Sequence, residues 1–133
     1  MNNEFLELSK YRLARSKEDL ENSKSNLKNG YLKGTINRSY YSIFHGIRAI
    51  LALDGFDSGK HSGIIAYFNQ HYVKTGKFDV HISAIIQKAF KIRNKSDYDD
   101  FYIVSREEAK EQVKDAEYFI DIVEKFIGSH FDC

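Results

Sequence analysis

No proline occurs anywhere in the 133 residues. Nothing therefore breaks a helix by removing an amide donor and fixing φ. Apolar residues recur at spacings of three and four along most of the chain, and no Val/Thr-rich alternating run of strand length is present. The sequence predicts an all-α chain. Its length suits one domain covering 1–133 and suffices to bury a core. No internal repeat or low-complexity linker divides it.

Five helices are predicted. The first runs from about Glu4 to Lys28, where Leu6, Leu13, Leu20 and Leu27 recur every seventh residue. Ser9, Ser16 and Ser23 follow the first three leucines at three residues' distance, making a narrow seam that lets a neighbouring helix come close. Gly30 suits a left-handed C-cap. The second helix spans about Thr35 or Ile36 to Leu53 and ends at Asp54-Gly55. A short third helix covers about His61 to Tyr72 and breaks at Thr75-Gly76. The fourth starts after Asp79 as N-cap and ends near Lys95 or Ser96. The fifth opens on a capping box, Ser105 to Glu108, carries the stripe Ala109, Val113, Ala116, Ile120, Val123 and Ile127, and stops at Gly128. The whole reads as an up-and-down bundle with a short third helix.

Two features stand out against this regular pattern. The second helix contains no Lys, Asp or Glu, although a surface helix of its length normally carries several. Opposite its apolar face lie Arg38, Tyr41, His45 and Arg48. Such a face suits a second subunit or a ligand, or else a central helix with satisfied polar side chains. The second feature is Arg93, which continues the apolar stripe Ile82, Ile86 and Ala89 of the fourth helix. A guanidinium keeps its proton, so it needs a partner or a ligand there. It precedes the polar stretch Asn94-Lys95-Ser96-Asp97-Tyr98-Asp99-Asp100. An inward arginine beside a polar turn is how a bundle builds an anion or phosphate site. An ion pair with Asp97 one turn on, or a side chain that snorkels outward, is the alternative.

Composition narrows the function. A formal charge of +1 sets up no global field toward nucleic acid or acidic membranes, so any polyanion must meet a local cluster. Between Asp79 and Asp97 the charged residues are Lys88, Lys91, Arg93 and Lys95. Cys133 is the single cysteine, so no intramolecular disulfide forms, which suits a reducing cytoplasm. His45, His61, His71, His81 and His130 show no metal-binding spacing, so neither metal nor cofactor is expected. No apolar run approaches membrane-spanning length, and no membrane association is expected.

The run Asn37-Arg38-Ser39-Tyr40-Tyr41-Ser42-Ile43-Phe44-His45, the helix–loop–His61 segment, and Arg93-x-x-x-Asp97-Tyr98 before a long last helix together resemble the HEPN domain, the higher eukaryotes and prokaryotes nucleotide-binding domain. The likeness is to small stand-alone prokaryotic members and covers nearly the whole chain. It implies a helical bundle, commonly homodimeric. Many members are metal-independent ribonucleases whose motif joins an arginine to a histidine after four to six intervening residues, duplicated across the dimer cleft. Stand-alone members often pair with a minimal nucleotidyltransferase as toxin and antitoxin. In some pairs the partner adenylylates a tyrosine just after the motif histidine.

Arg93 and Asn94 match the start of that motif, but Tyr98 stands where its shorter form has histidine, and none follows before His130. Moving a proton from a 2′-hydroxyl near neutral pH is work for an imidazole and not for an unshifted phenol. Asp100 would occupy the modified position, with Tyr98 and Tyr102 as neighbouring tyrosines. The resemblance thus implies phosphate binding by Arg93, Asn94, Arg38, Arg48 and Tyr41, with Asp97 part of the motif. The leading expectation is a nucleotide- or RNA-binding partner of a small nucleotidyltransferase. A ribonuclease using Arg93 with His45 or Tyr98, and a structural adaptor without ligand, are the alternatives.

Overall fold

A computed structural model describes residues 3–131; Cys133 lies outside them. Five α-helices follow in order: α1 (Asn3–Lys28), α2 (Leu32–Ala52), α3 (His61–Phe68), α4 (Val80–Tyr98) and α5 (Arg106–Phe131). No strand occurs among the described residues. Helix α2 is central and packs against each of the other four.

The serine seam builds the α1–α2 pair. Ser9, Ser16 and Ser23 are wholly buried. Ser9 Oγ donates to the Ala49 carbonyl at 2.6 Å and Ser16 Oγ to that of Ser42 at 2.6 Å, while Ser42 Oγ returns a bond to Ser16 O at 3.0 Å. Partners run in opposite directions along the two helices, so α1 and α2 are antiparallel. Each hydroxyl meets a helix carbonyl that larger side chains would hold out of reach. The main core gathers Ile43, Phe44, Ile47 and Ile50 of α2 with Ile64 and Phe68 of α3, Ile82 and Ile86 of α4, and Phe119 and Ile120 of α5.

Several helix ends differ from expectation. Helix α2 begins at Leu32, so Gly34 lies within it, where a Cβ would meet the Asn26 side chain at 2.9 Å. After Phe68 the chain widens into a π-helical turn, Asn69–Val73. Helix α4 runs on to Tyr98. Gly128 does not stop α5, which continues to Phe131; the glycines with positive φ are Gly30, Gly55 and Gly76, at the turns where breaks were expected. Asp79 caps α4 by accepting from the His81 amide at 2.9 Å. Ser105 Oγ accepts from Glu108 N at 3.1 Å, but the Glu108 carboxylate takes the Tyr102 hydroxyl.

Candidate functional site

From Thr35 to Leu53 every residue is buried except Asn37, Arg38, Tyr41, His45 and Arg48. Packing by four neighbours leaves α2 this one half-open strip, which explains why Lys33, exposed in its first turn, is its only Lys, Asp or Glu. Helix α1 supplies one edge of the strip and α4 the other.

On the α4 side, Arg93 is the organising group. Its side chain is only 14% exposed. The guanidinium carbon lies 5.0 Å from the Tyr40 ring centre and 5.5 Å from that of Tyr41. Nη2 donates to Tyr41 Oη at 3.1 Å and Nη1 to Asn94 Oδ1 at 3.3 Å. Nε lies 2.9 Å from Asp97 Oδ2, a charge contact whose N–H is not aligned for a hydrogen bond. The aromatic pair and the carboxylate thus hold a cation at the strip's edge. Tyr98 is not among its partners: its ring is 76% exposed at the end of α4. Tyr102 is held by Glu108, and burial with that bond pushes its phenol up to about 12.

On the α1 side the sequence reading missed Arg12, Arg15 and Asp19 of α1 and Asp57 of the loop after α2. Arg12 and Arg48 share one carboxylate, Asp57 Oδ2, at 3.2 and 3.0 Å. Asp19 receives Arg38 Nη1 at 3.1 Å, and Arg38 lies over the Tyr41 ring at 5.2 Å. Arg15 is exposed and makes no ion pair among the described residues. The three on α1 escaped notice because that helix reads as a leucine–serine seam. Their own spacing (Arg12, Arg15, Asp19) marks a second face of the same helix.

His45 sits inside this ring of arginines. Burial, then the charges of Arg15, Arg48, Arg12 and Arg38, pull its pKa down to about 4. It is therefore neutral at pH 7, and its 3.8 Å approach to Asp19 Oδ2 is no ion pair there. Its Nδ1 is buried with no protein partner. Burial also raises the Asp19 carboxyl, outweighing Arg38. His61 lies nearer Arg93. Its Nδ1 and Tyr40 Oη share a hydrogen bond of 2.8 Å, which fixes the orientation of the ring. Burial and the Arg93 charge keep His61 neutral by lowering its pKa. Among the described residues no group of ligands suits a metal ion.

An all-α bundle whose central helix shows one arginine- and tyrosine-rich strip, with a half-buried arginine at the end of α4, defines a class of small helical domains. The HEPN domain family model matches residues 9–126, and the chain belongs to that family. The UPF0332 protein of Thermotoga maritima is 35% identical over 125 residues, covering 94% of this chain and 95% of that one. Two Methanocaldococcus jannaschii proteins named putative toxin are 31% identical over 110 residues and 27% over 117. They cover 83% and 88% of this chain, and 81% and 80% of their own lengths. No described helix is long and apolar enough to cross a membrane.

Proposed function

We propose that this chain is the helical, toxin-like half of a two-protein module with a minimal nucleotidyltransferase, acting in the cytoplasm. It binds nucleotide or RNA phosphates at the α2 strip, where two copies of the chain meet. One observation carries the reading: Arg12, Arg38, Arg48 and Arg93 share only Asp19, Asp57 and Asp97, and Arg15 adds an unpaired charge. That local excess of cation is what a phosphate requires in a chain of nearly zero net charge. The names of the relatives support the toxin-like role, and family likeness supports the partner.

Binding is favoured over cleavage because Tyr98 stands where the family's motif has its histidine, and it lies exposed and apart from Arg93. His45 Nδ1 is buried. Titration of wild type, Arg38→Gln and Arg93→Gln with an RNA oligonucleotide tests the reading. Affinity should fall with rising salt, and each variant should weaken binding and flatten the salt slope by about one unit. Salt-independent binding that both variants retain would discard it. The ribonuclease alternative draws on the His45–Asp19 pair. It wins if wild type cleaves RNA in the presence of a chelator and His45→Ala abolishes cleavage.

A further inference from the structure

We infer that the groove between α3 and α4 is an adenine-binding subsite, built beside the phosphate-binding Arg93. The inference rests on the nucleotide reading above and adds which base is taken and where. A cavity of about 290 Å³ opens there, lined by Ser62, Ile65, Ala66, Asn69, Gln87 and Phe90. Small-molecule sites begin at about 300 Å³, so this one accepts a single flat heterocycle and little more.

Its walls suit a purine. Ile65, Ala66 and Phe90 offer apolar faces, and an aromatic ring is the usual stacking partner of a base. The polar groups are two carboxamides. The Asn69 side chain makes no hydrogen bond among the described residues, and its Oδ1 is buried without a donor. It stands at the start of the π-helical turn, a widening of the helix often found at functional sites. The side chain of Gln87, on α4 across the groove, likewise makes no hydrogen bond among the described residues, and the residue is exposed. The exposed Gln87 carboxamide pairs one acceptor with one donor. Adenine presents the complement, its 6-amino donor beside the N7 acceptor, whereas guanine offers two acceptors along that edge and suits arginine.

The subsite and the phosphate site share a wall. The Phe90 ring lies 6.1 Å from that of Tyr40, on which the Arg93 guanidinium rests at 5.0 Å. Phe90 and Arg93 are three residues apart on α4, about 4.5 Å along its axis. His61, adjacent in sequence to Ser62, hydrogen-bonds the same Tyr40. A base in the groove therefore places its 5′-phosphate toward Arg93 and His61.

Calorimetric titration of the full chain with AMP, GMP and ribose 5-phosphate tests this. AMP should bind on the order of tenfold more tightly than either of the other two, the gain from one stacked and hydrogen-bonded base. Ala66→Phe, at an exposed position, should fill the groove and reduce AMP to the ribose 5-phosphate level while leaving ribose 5-phosphate unchanged. Gln87→Ala should remove part of the AMP advantage. Equal affinity for AMP and ribose 5-phosphate, or for AMP and GMP, overturns the adenine subsite but leaves the phosphate site standing. AMP binding that Ala66→Phe does not touch overturns it too. If neither AMP nor ribose 5-phosphate binds, the nucleotide reading itself fails and the subsite with it.

Discussion

Arg93 holds its place through contacts on three sides, and none of them suits another side chain. Lysine has no fork to reach Tyr41 Oη and Asn94 Oδ1 together while lying over two rings. Arg93→Ala should cost about 1–3 kcal/mol in chemical denaturation, because it strips a half-buried Tyr41 hydroxyl and Asp97 of their partner. Arg93→Lys should recover only part of that. An unchanged unfolding midpoint for Arg93→Ala would show that these contacts carry no stability. His45 makes a pH-dependent prediction. Its folded pKa of about 4 lies below the ordinary 6.5, so the unfolded chain takes up the proton first as pH falls. Stability should be full above pH 6.5 and drop between there and about 4, by on the order of 3 kcal/mol. The groups facing it are Arg12, Arg15 and Asp19 on α1 and Arg38 and Arg48 on α2. His45→Gln should flatten that part of the curve in pH-dependent melts; a slope identical to wild type would assign it to other groups. The strip's residues on α2 and α4 stood out in the sequence because Arg93 breaks an apolar stripe, while Arg38, Tyr41, His45 and Arg48 form a polar face without Lys, Asp or Glu between Thr35 and Leu53. Arg12, Arg15, Asp19 and Asp57 were not, because charges on an outer helix face or in a loop look like any solvated surface until the fold brings them to His45.

Among the elements, the α1–α2 pair shows how small polar residues govern helix approach. Ser16 is wholly buried, its hydroxyl bonded to a carbonyl of α2, and a Cβ on Gly46 would come within 3.4 Å of that hydroxyl. Ser16→Leu has no space to enter and removes a hydrogen bond, so it should destabilise by about 3 kcal/mol or more. Ser16→Ala should cost only about 1 kcal/mol. Ser25→Leu, on the exposed side of the same helix, should change little. Equal losses for Ser16→Leu and Ser25→Leu in urea titrations would refute tight packing at the seam. Helix existence and order were readable because the heptad leucines, the serines and the glycine turns all agree on one pattern. The exact ends were not. Gly128 looks like a stop, and the second helix reads as starting after Gly34, yet a glycine within a helix costs only about 1 kcal/mol and tertiary packing outweighs that. The π-helical turn at Asn69–Val73 leaves no mark in the spacing, since one inserted residue only shifts the phase of a short stripe.

At the scale of the whole molecule, the strip poses an electrostatic problem whose solution is testable. Arg38, Tyr41, His45 and Arg48 are too desolvated for an ordinary surface and too polar for a core. Nearby, the α4–α5 connection leaves Tyr98, Phe101 and Ile103 exposed at 76%, 93% and 87%, apolar surface that a second copy would cover. We therefore expect a homodimer with α2 and the end of α4 at its interface. Such an arrangement brings two sets of arginines face to face, and like charges across an interface repel. An anion between them relieves that repulsion, so phosphate binding and dimerisation should be coupled, each strengthening the other by the same factor. Sedimentation at micromolar protein should show more dimer when inorganic phosphate or an RNA oligonucleotide is added at constant ionic strength. Arg48→Gln, which lowers the repulsion, should dimerise more readily without anion and respond less to it. Phe101→Ser combined with Ile103→Ser should shift the equilibrium toward monomer with or without anion. A monomer under every condition would remove the interface altogether. A dimer indifferent to anions and to Arg48→Gln would place the contact elsewhere and leave the arginine strip free to bind its ligand within one subunit.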